Sequence, residues 1–119
     1  RIVTDSARWA RAANFLAAGR TEEELRWVAA AASSRPESFR QATVLYVSLL
    51  EWGLETDDVV DIVAAAVDSR LEPEELAGIP ELFALARRQR LRPERMVSRL
   101  MAALPRADSL RELRSMIVE

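Results

Sequence analysis

Residues 21–35 read TEEELRWVAAAASSR and residues 56–70 read TDDVVDIVAAAVDSR, an ungapped self-match at an offset of 35. Thr21 falls on Thr56, acidic Glu22 and Glu23 on Asp57 and Asp58, Leu25 on Val60, Trp27 on Ile62 and Val28 on Val63. Ala29 to Ala31 fall on Ala64 to Ala66, and Ser34-Arg35 on Ser69-Arg70. A looser echo follows at an offset of 37. Gly53-Leu54-Glu55-Thr56-Asp57 is answered by Arg90-Leu91-Arg92-Pro93-Glu94, and Val63, Ala65, Ala66 and Val67 by Leu100, Ala102, Ala103 and Leu104. A period of 35 to 37 residues is the length of a two-helix unit. Such a unit cannot bury its apolar face alone and must stack on a neighbour.

Local signals place the helices. Thr21 and Thr56 are suited to cap a helix through the side-chain oxygen, with acids following in the first turn, where the helix dipole favours them. Thr21 with Glu24 has the spacing of a capping box. Pro36, Pro73 and Pro93 suit a first helical position, where the missing N–H costs nothing. Gly19 and Gly53 suit the left-handed residue that closes a helix. These signals predict helices over 6–18, 21–33, 36–52, 56–69, 73–89, 93–104 and 108–118, with Gly78 and Pro80 breaking or kinking the fifth.

The apolar stripes agree. Leu25, Val28 and Ala32 follow helical spacing, as do Val60, Val63 and Val67. Segment 36–52 differs, because Phe39, Val44, Leu45, Tyr46, Val47, Leu49, Leu50 and Trp52 surround most of its circumference. A helix apolar on most sides belongs among neighbours, so this one is expected at the centre. Half the 119 residues are apolar and 30% are charged, with only 3 Gly and 5 Pro, so the chain has the makings of a soluble helical globule. The expected fold is all-α: about seven helices stacked as antiparallel hairpins in one domain over 1–119, either a short α-solenoid or a compact bundle. Units near 21–55, 56–92 and 93–119 would follow a leading half-unit, 1–20.

Over residues 21–118 this pattern resembles the broad class of stacked α-hairpin repeats, in the manner of tetratricopeptide or HEAT arrays. The Trp/Leu-Gly/Tyr signature of tetratricopeptide repeats is absent, so the resemblance is to the class. It implies a binding role, because stacked hairpins expose a groove that fits peptides or helices.

Composition removes much chemistry. Cys and His are absent, and all seventeen basic residues are Arg. Thiolate and imidazole metal sites, thiol nucleophiles, Ser-His dyads, lysine Schiff bases and Walker-type phosphate lysines cannot be written. Arg-only basicity also fits a GC-rich, bacterial-like coding bias. No apolar run nears the ~20 residues of a membrane span. The chain starts at Arg1, as a processed protein or excised fragment would, and its compartment stays open between cytoplasm and periplasm. The motif Asp57-Asp58-Val59-Val60-Asp61 resembles the aspartate-rich motif of isoprenoid synthases, which holds magnesium. Its repeat partner Glu22-Glu23-Glu24 keeps the negative first turn and breaks the metal pattern, so helix-dipole complementation is the preferred reading. The expectation is a non-enzymatic domain with no catalytic residue, metal or cofactor.

Candidate binding residues come from two features. Arg87, Arg88, Arg90, Arg92, Arg95 and Arg99 lie within thirteen residues, opposed there only by Glu94, while residues 51–81 carry ten acids and one Arg. The basic segment reads as a solvated face partly paired with that acidic belt, or as a surface for an anionic protein partner. The alternative function is a small Arg-dependent nucleic-acid binder, helix-turn-helix-like, with the helix from Pro93 in a groove. Met96, Val97, Leu100 and Met101 on that helix suit packing instead. Of the tryptophans, Trp27 is expected in the core with Ile62, and Trp52, beside Gly53 at a helix end, is expected to be partly exposed. Met96, Met101 and Met116 fall on apolar positions of the last two helices, as core filler or as a soft docking surface.

Overall fold

The structure, a computed structural model, describes residues 22–118. The helix expected over 6–18, with Trp9, Gly19 and the Thr21 cap, lies outside these residues. Within them run α1 (Glu22–Ala31), a 3-10 turn (Pro36–Ser38), α2 (Phe39–Glu51), α3 (Thr56–Asp68) and the one-turn α4 (Pro73–Leu76). There follow α5 (Ile79–Arg88), α6 (Pro93–Ala103) and α7 (Leu110–Val118). No strand occurs among the described residues, and the all-α class holds.

Pro73 and Pro93 open α4 and α6, while Pro36 opens the 3-10 turn ahead of α2. Thr56 is not a cap: it is the first residue of α3, and extended Glu55 (φ −63°, ψ 143°) takes the cap position without a side-chain hydrogen bond. Gly53 turns the chain left-handed at φ 88° two residues before that cap. The expected break at Gly78 separates α4 from α5. A Cβ at Gly78 would collide with the Leu110 side chain, so the break is also where α7 approaches.

Helix α3 touches both α1 and α6, and α5 touches both α2 and α7, which makes two layers. The layers pack through α1 on α2, α2 on α3, α5 on α6 and α6 on α7. The sequence-central α2 buries Ala42, Thr43, Val44, Leu45, Tyr46, Val47 and Leu49, as its all-round apolarity predicts. Ile62, Val63, Leu76, Ile79, Leu100 and Leu113 extend that core across the other helices. The radius of gyration is 13.4 Å, with extents of 37 × 30 × 27 Å, close to the roughly 13 Å of a 100-residue globule.

Polar straps cross between successive hairpins. Arg35 Nη1 donates to the carbonyl oxygens of Val67 (3.3 Å), Ser69 (3.2 Å) and Leu71 (2.8 Å), satisfying groups that the end of α3 leaves open. Ser34 Oγ donates to Asp68 Oδ1 at 2.6 Å. Arg70, one repeat offset beyond Arg35, reaches Asp108 at 2.8 Å, and this hydrogen bond and charge hold its guanidinium pKa above the ordinary value.

Candidate functional site

Two turns with the same backbone build the site. After α2, the Gly53 N–H donates to the Leu50 carbonyl (2.9 Å) and the Leu54 N–H to the Leu49 carbonyl (3.4 Å), the paired bonds of a Schellman closure. After α5, the Arg90 N–H donates to the Arg87 carbonyl and the Leu91 N–H to the Ala86 carbonyl, both at 3.0 Å. Each turn folds a half-buried leucine, Leu54 or Leu91, back against the core. Trp52 stands at the first turn and Arg87 just before the second.

These turns bring Trp52 and Arg87 together. The Arg87 guanidinium carbon lies 5.8 Å from the Trp52 ring centroid, and the indole stays 36% exposed. Such a cation–π contact contributes about 0.5–1 kcal/mol at an exposed site. Beneath the pair opens a pocket of about 360 Å³, walled by Leu54, Phe83, Leu91, Pro93 and Met96 together with Trp52. Phe83 comes from α5, Pro93 and Met96 from α6, and Trp52 from the end of α2.

The other arginines divide. Arg90, Arg92 and Arg95 are exposed and adjoin the wall residues Leu91, Pro93 and Met96 in sequence, but of the six arginines Arg87 alone lines this pocket. They form no ion pair among the described residues, so the acidic belt does not neutralise them. Arg88 lines a separate groove of about 720 Å³ between α5 and α7, with Arg111 and Arg114. Arg99 donates to the Ile117 carbonyl at 2.9 Å and ties α6 to the end of α7. The cluster that is continuous in sequence is therefore three surfaces in space. Spacing of three along α7 was the signal for Arg111 and Arg114. Met96 was marked in the sequence as core filler or a soft docking surface, whereas nothing local marked Phe83 as a pocket wall.

Trp27 departs from expectation. It is 36% exposed, whereas its repeat counterpart Ile62 is fully buried. Val28 and Ala32 hold the inward stripe of α1, and Trp27 sits about 100° around the helix from Val28. Ile62 at the same angle is covered because α3 has neighbours on both flanks, while among the described elements α1 has α3 on one flank only. Trp27 instead borders a shallow hollow with Asp57, Val60 and Asp61. Asp57 and Asp58 occupy the first turn of α3, and among the described residues no three His, Cys, Asp or Glu side chains converge as a metal site. Met96 is buried and Met101 half-buried, while Met116 is exposed.

No described helix is long and apolar enough to cross a membrane. Neither family models, curated proteins nor solved structures match the chain.

Proposed function

We propose that this chain is a non-catalytic protein-interaction domain made of stacked helical hairpins, and that it binds its partner at the Trp52–Arg87 pocket. The observation that carries the binding reading is Trp52 itself: a large, 36% exposed indole at the mouth of an apolar pocket, fixed by a guanidinium. Tryptophan and arginine are the side chains most enriched among residues that dominate binding energy, and such residues favour pockets. Supporting the repeat reading are the matching Gly53 and Arg90 turns and the Ser34-Arg35 and Arg70 straps, each reaching the hairpin that follows. Unequal burial of Trp27 and Ile62 weighs on the other side, as a sign of divergence between copies.

The test compares immobilised wild-type chain with Trp52→Ala and Arg87→Ala variants in capture from a cell extract, followed by titration of each captured protein in purified form. A partner that binds the wild type and loses at least tenfold in affinity to both variants supports the reading. Identical affinities for all three chains sink it. In the nucleic-acid alternative, a fluorescein-labelled duplex would bind with a steep salt dependence that Arg92→Ala and Arg95→Ala reduce, because each lost phosphate contact releases fewer counterions.

A further inference from the structure

We infer that the Trp52 pocket takes one large apolar side chain from an acidic peptide segment, whose carboxylates lie along Arg87, Arg90 and Arg92. This rests on the interaction-domain reading above and adds the chemistry of the partner.

Three features converge on that occupant. The pocket holds about 360 Å³, near the lower end of the roughly 300–1,000 Å³ of ligand sites, which suits one or two side chains rather than a whole docked helix. Its walls are Leu54, Phe83, Leu91, Pro93 and Met96, so the inserted group must be aliphatic or aromatic. Met96 at the base is almost fully buried and has the flexible, polarisable side chain that adapts to differently shaped guests.

Charge then selects the flanks. Arg87 lines the pocket from α5, and exposed Arg90, Arg92 and Arg95 adjoin the wall residues Leu91, Pro93 and Met96 in sequence, with Glu94 the one acid of that stretch. Arg90, Arg92 and Arg95 lack ion-pair partners among the described residues, so their guanidinium groups are free to fork onto incoming carboxylates. Glu51 and Glu55 adjoin the lining residues Trp52 and Leu54 in sequence and are exposed. The residues neighbouring the pocket walls are thus two-signed. A peptide places discrete carboxylates on the basic side alone, whereas the continuous phosphate chain of a nucleic acid would also meet Glu51, Glu55 and Glu94. Arg87 already covers the Trp52 ring, and besides these two residues the lining side chains are apolar and offer nothing to read a base edge. Peptide is therefore favoured over nucleobase.

The experiment selects binders for the whole chain from a random dodecapeptide library displayed on phage, then titrates labelled winners by fluorescence anisotropy. The expected winners carry a Leu, Ile, Phe or Trp next to two or more acids. Their affinity should fall at least tenfold with Trp52→Ala, at least tenfold with the Arg90→Glu, Arg92→Glu pair, and several-fold between 0.1 and 0.5 M salt, where screening shortens to about 4 Å. Circular dichroism of each variant separates lost binding from lost folding, and Arg87→Gln, an exposed change, provides a second variant. Winners that need Trp52 but carry no acids overturn the partner chemistry and leave the interaction reading standing. Winners indifferent to Trp52, or none at all, overturn both. A labelled single-stranded oligonucleotide that displaces the winners and binds more tightly than they do overturns the choice of peptide.

Discussion

Gly53 and Arg90, 37 residues apart, hold the same left-handed backbone, with φ of 88° and 59°. They are the two positive-φ positions among the described residues, and each closes a helix with the same pair of backbone bonds. Glycine takes that conformation freely, whereas a residue with a Cβ is strained by roughly 1–2 kcal/mol.

Arg90→Gly should therefore stabilise the fold by about 0.5–1 kcal/mol, because relief of strain exceeds the added entropy of the unfolded chain. Gly53→Ala should destabilise it by about 1 kcal/mol, although nothing within 4 Å of its Cβ would clash. Urea unfolding of both variants checks the pair. Effects of opposite sign are expected.

Glu75 joins two helix starts. Its Oε1 accepts from the Glu72 N–H at 3.0 Å and its Oε2 from the Leu110 N–H at 2.8 Å. Glu75→Ala removes both acceptors and should cost about 1–2 kcal/mol in urea unfolding, the range of a lost helix cap. Amide exchange at Leu110 should quicken in the same variant. Unchanged exchange there would contradict the capping role.

Arg35 and Arg70 are sequence equivalents with unequal duties. Arg35 is partly buried and satisfies three carbonyls, so Arg35→Ala should cost about 1–2 kcal/mol. Arg70 pairs with Asp108 at an open surface, where both side chains are largely exposed. Exposed ion pairs contribute little, so Arg70→Ala should leave the unfolding midpoint unchanged within error. Thermal and urea melts of the two variants distinguish them.

Leu45 is fully buried at the middle of α2, and Leu45→Ala should cost about 2–5 kcal/mol through lost burial and a residual cavity. By contrast, Trp27→Ala should cost less than Leu45→Ala, because its indole is partly in solvent. A larger loss from Trp27 than from Leu45 would restore the tryptophan to the core.

Much of this fold was legible because its causes are local. Proline at 73 and 93 and glycine at 53 act through their own φ angles, so they mark helix ends without reference to distant residues. The apolar circumference of α2 announced its burial for a similar reason: water is unfavourable for most of its faces. Of the site, Trp52 was legible as a partly exposed aromatic at a helix end, and Arg87, Arg90, Arg92 and Arg95 as part of a basic cluster expected to pair partly with the acidic belt. Their meeting was not.

Residue types and spacings by themselves determined the approximate helices, the Gly53 closure, the all-α class and the absence of cysteine, histidine and lysine chemistry. Tertiary structure decided which equivalent positions are covered, burying Ile62 and exposing Trp27, because coverage depends on neighbours that a periodic pattern does not count. It also set Arg87 over Trp52, carried Arg99 away to Ile117, and brought Glu75 to Leu110. These contacts join residues 18 to 35 positions apart, and only the packing of whole helices sets distances across such spans.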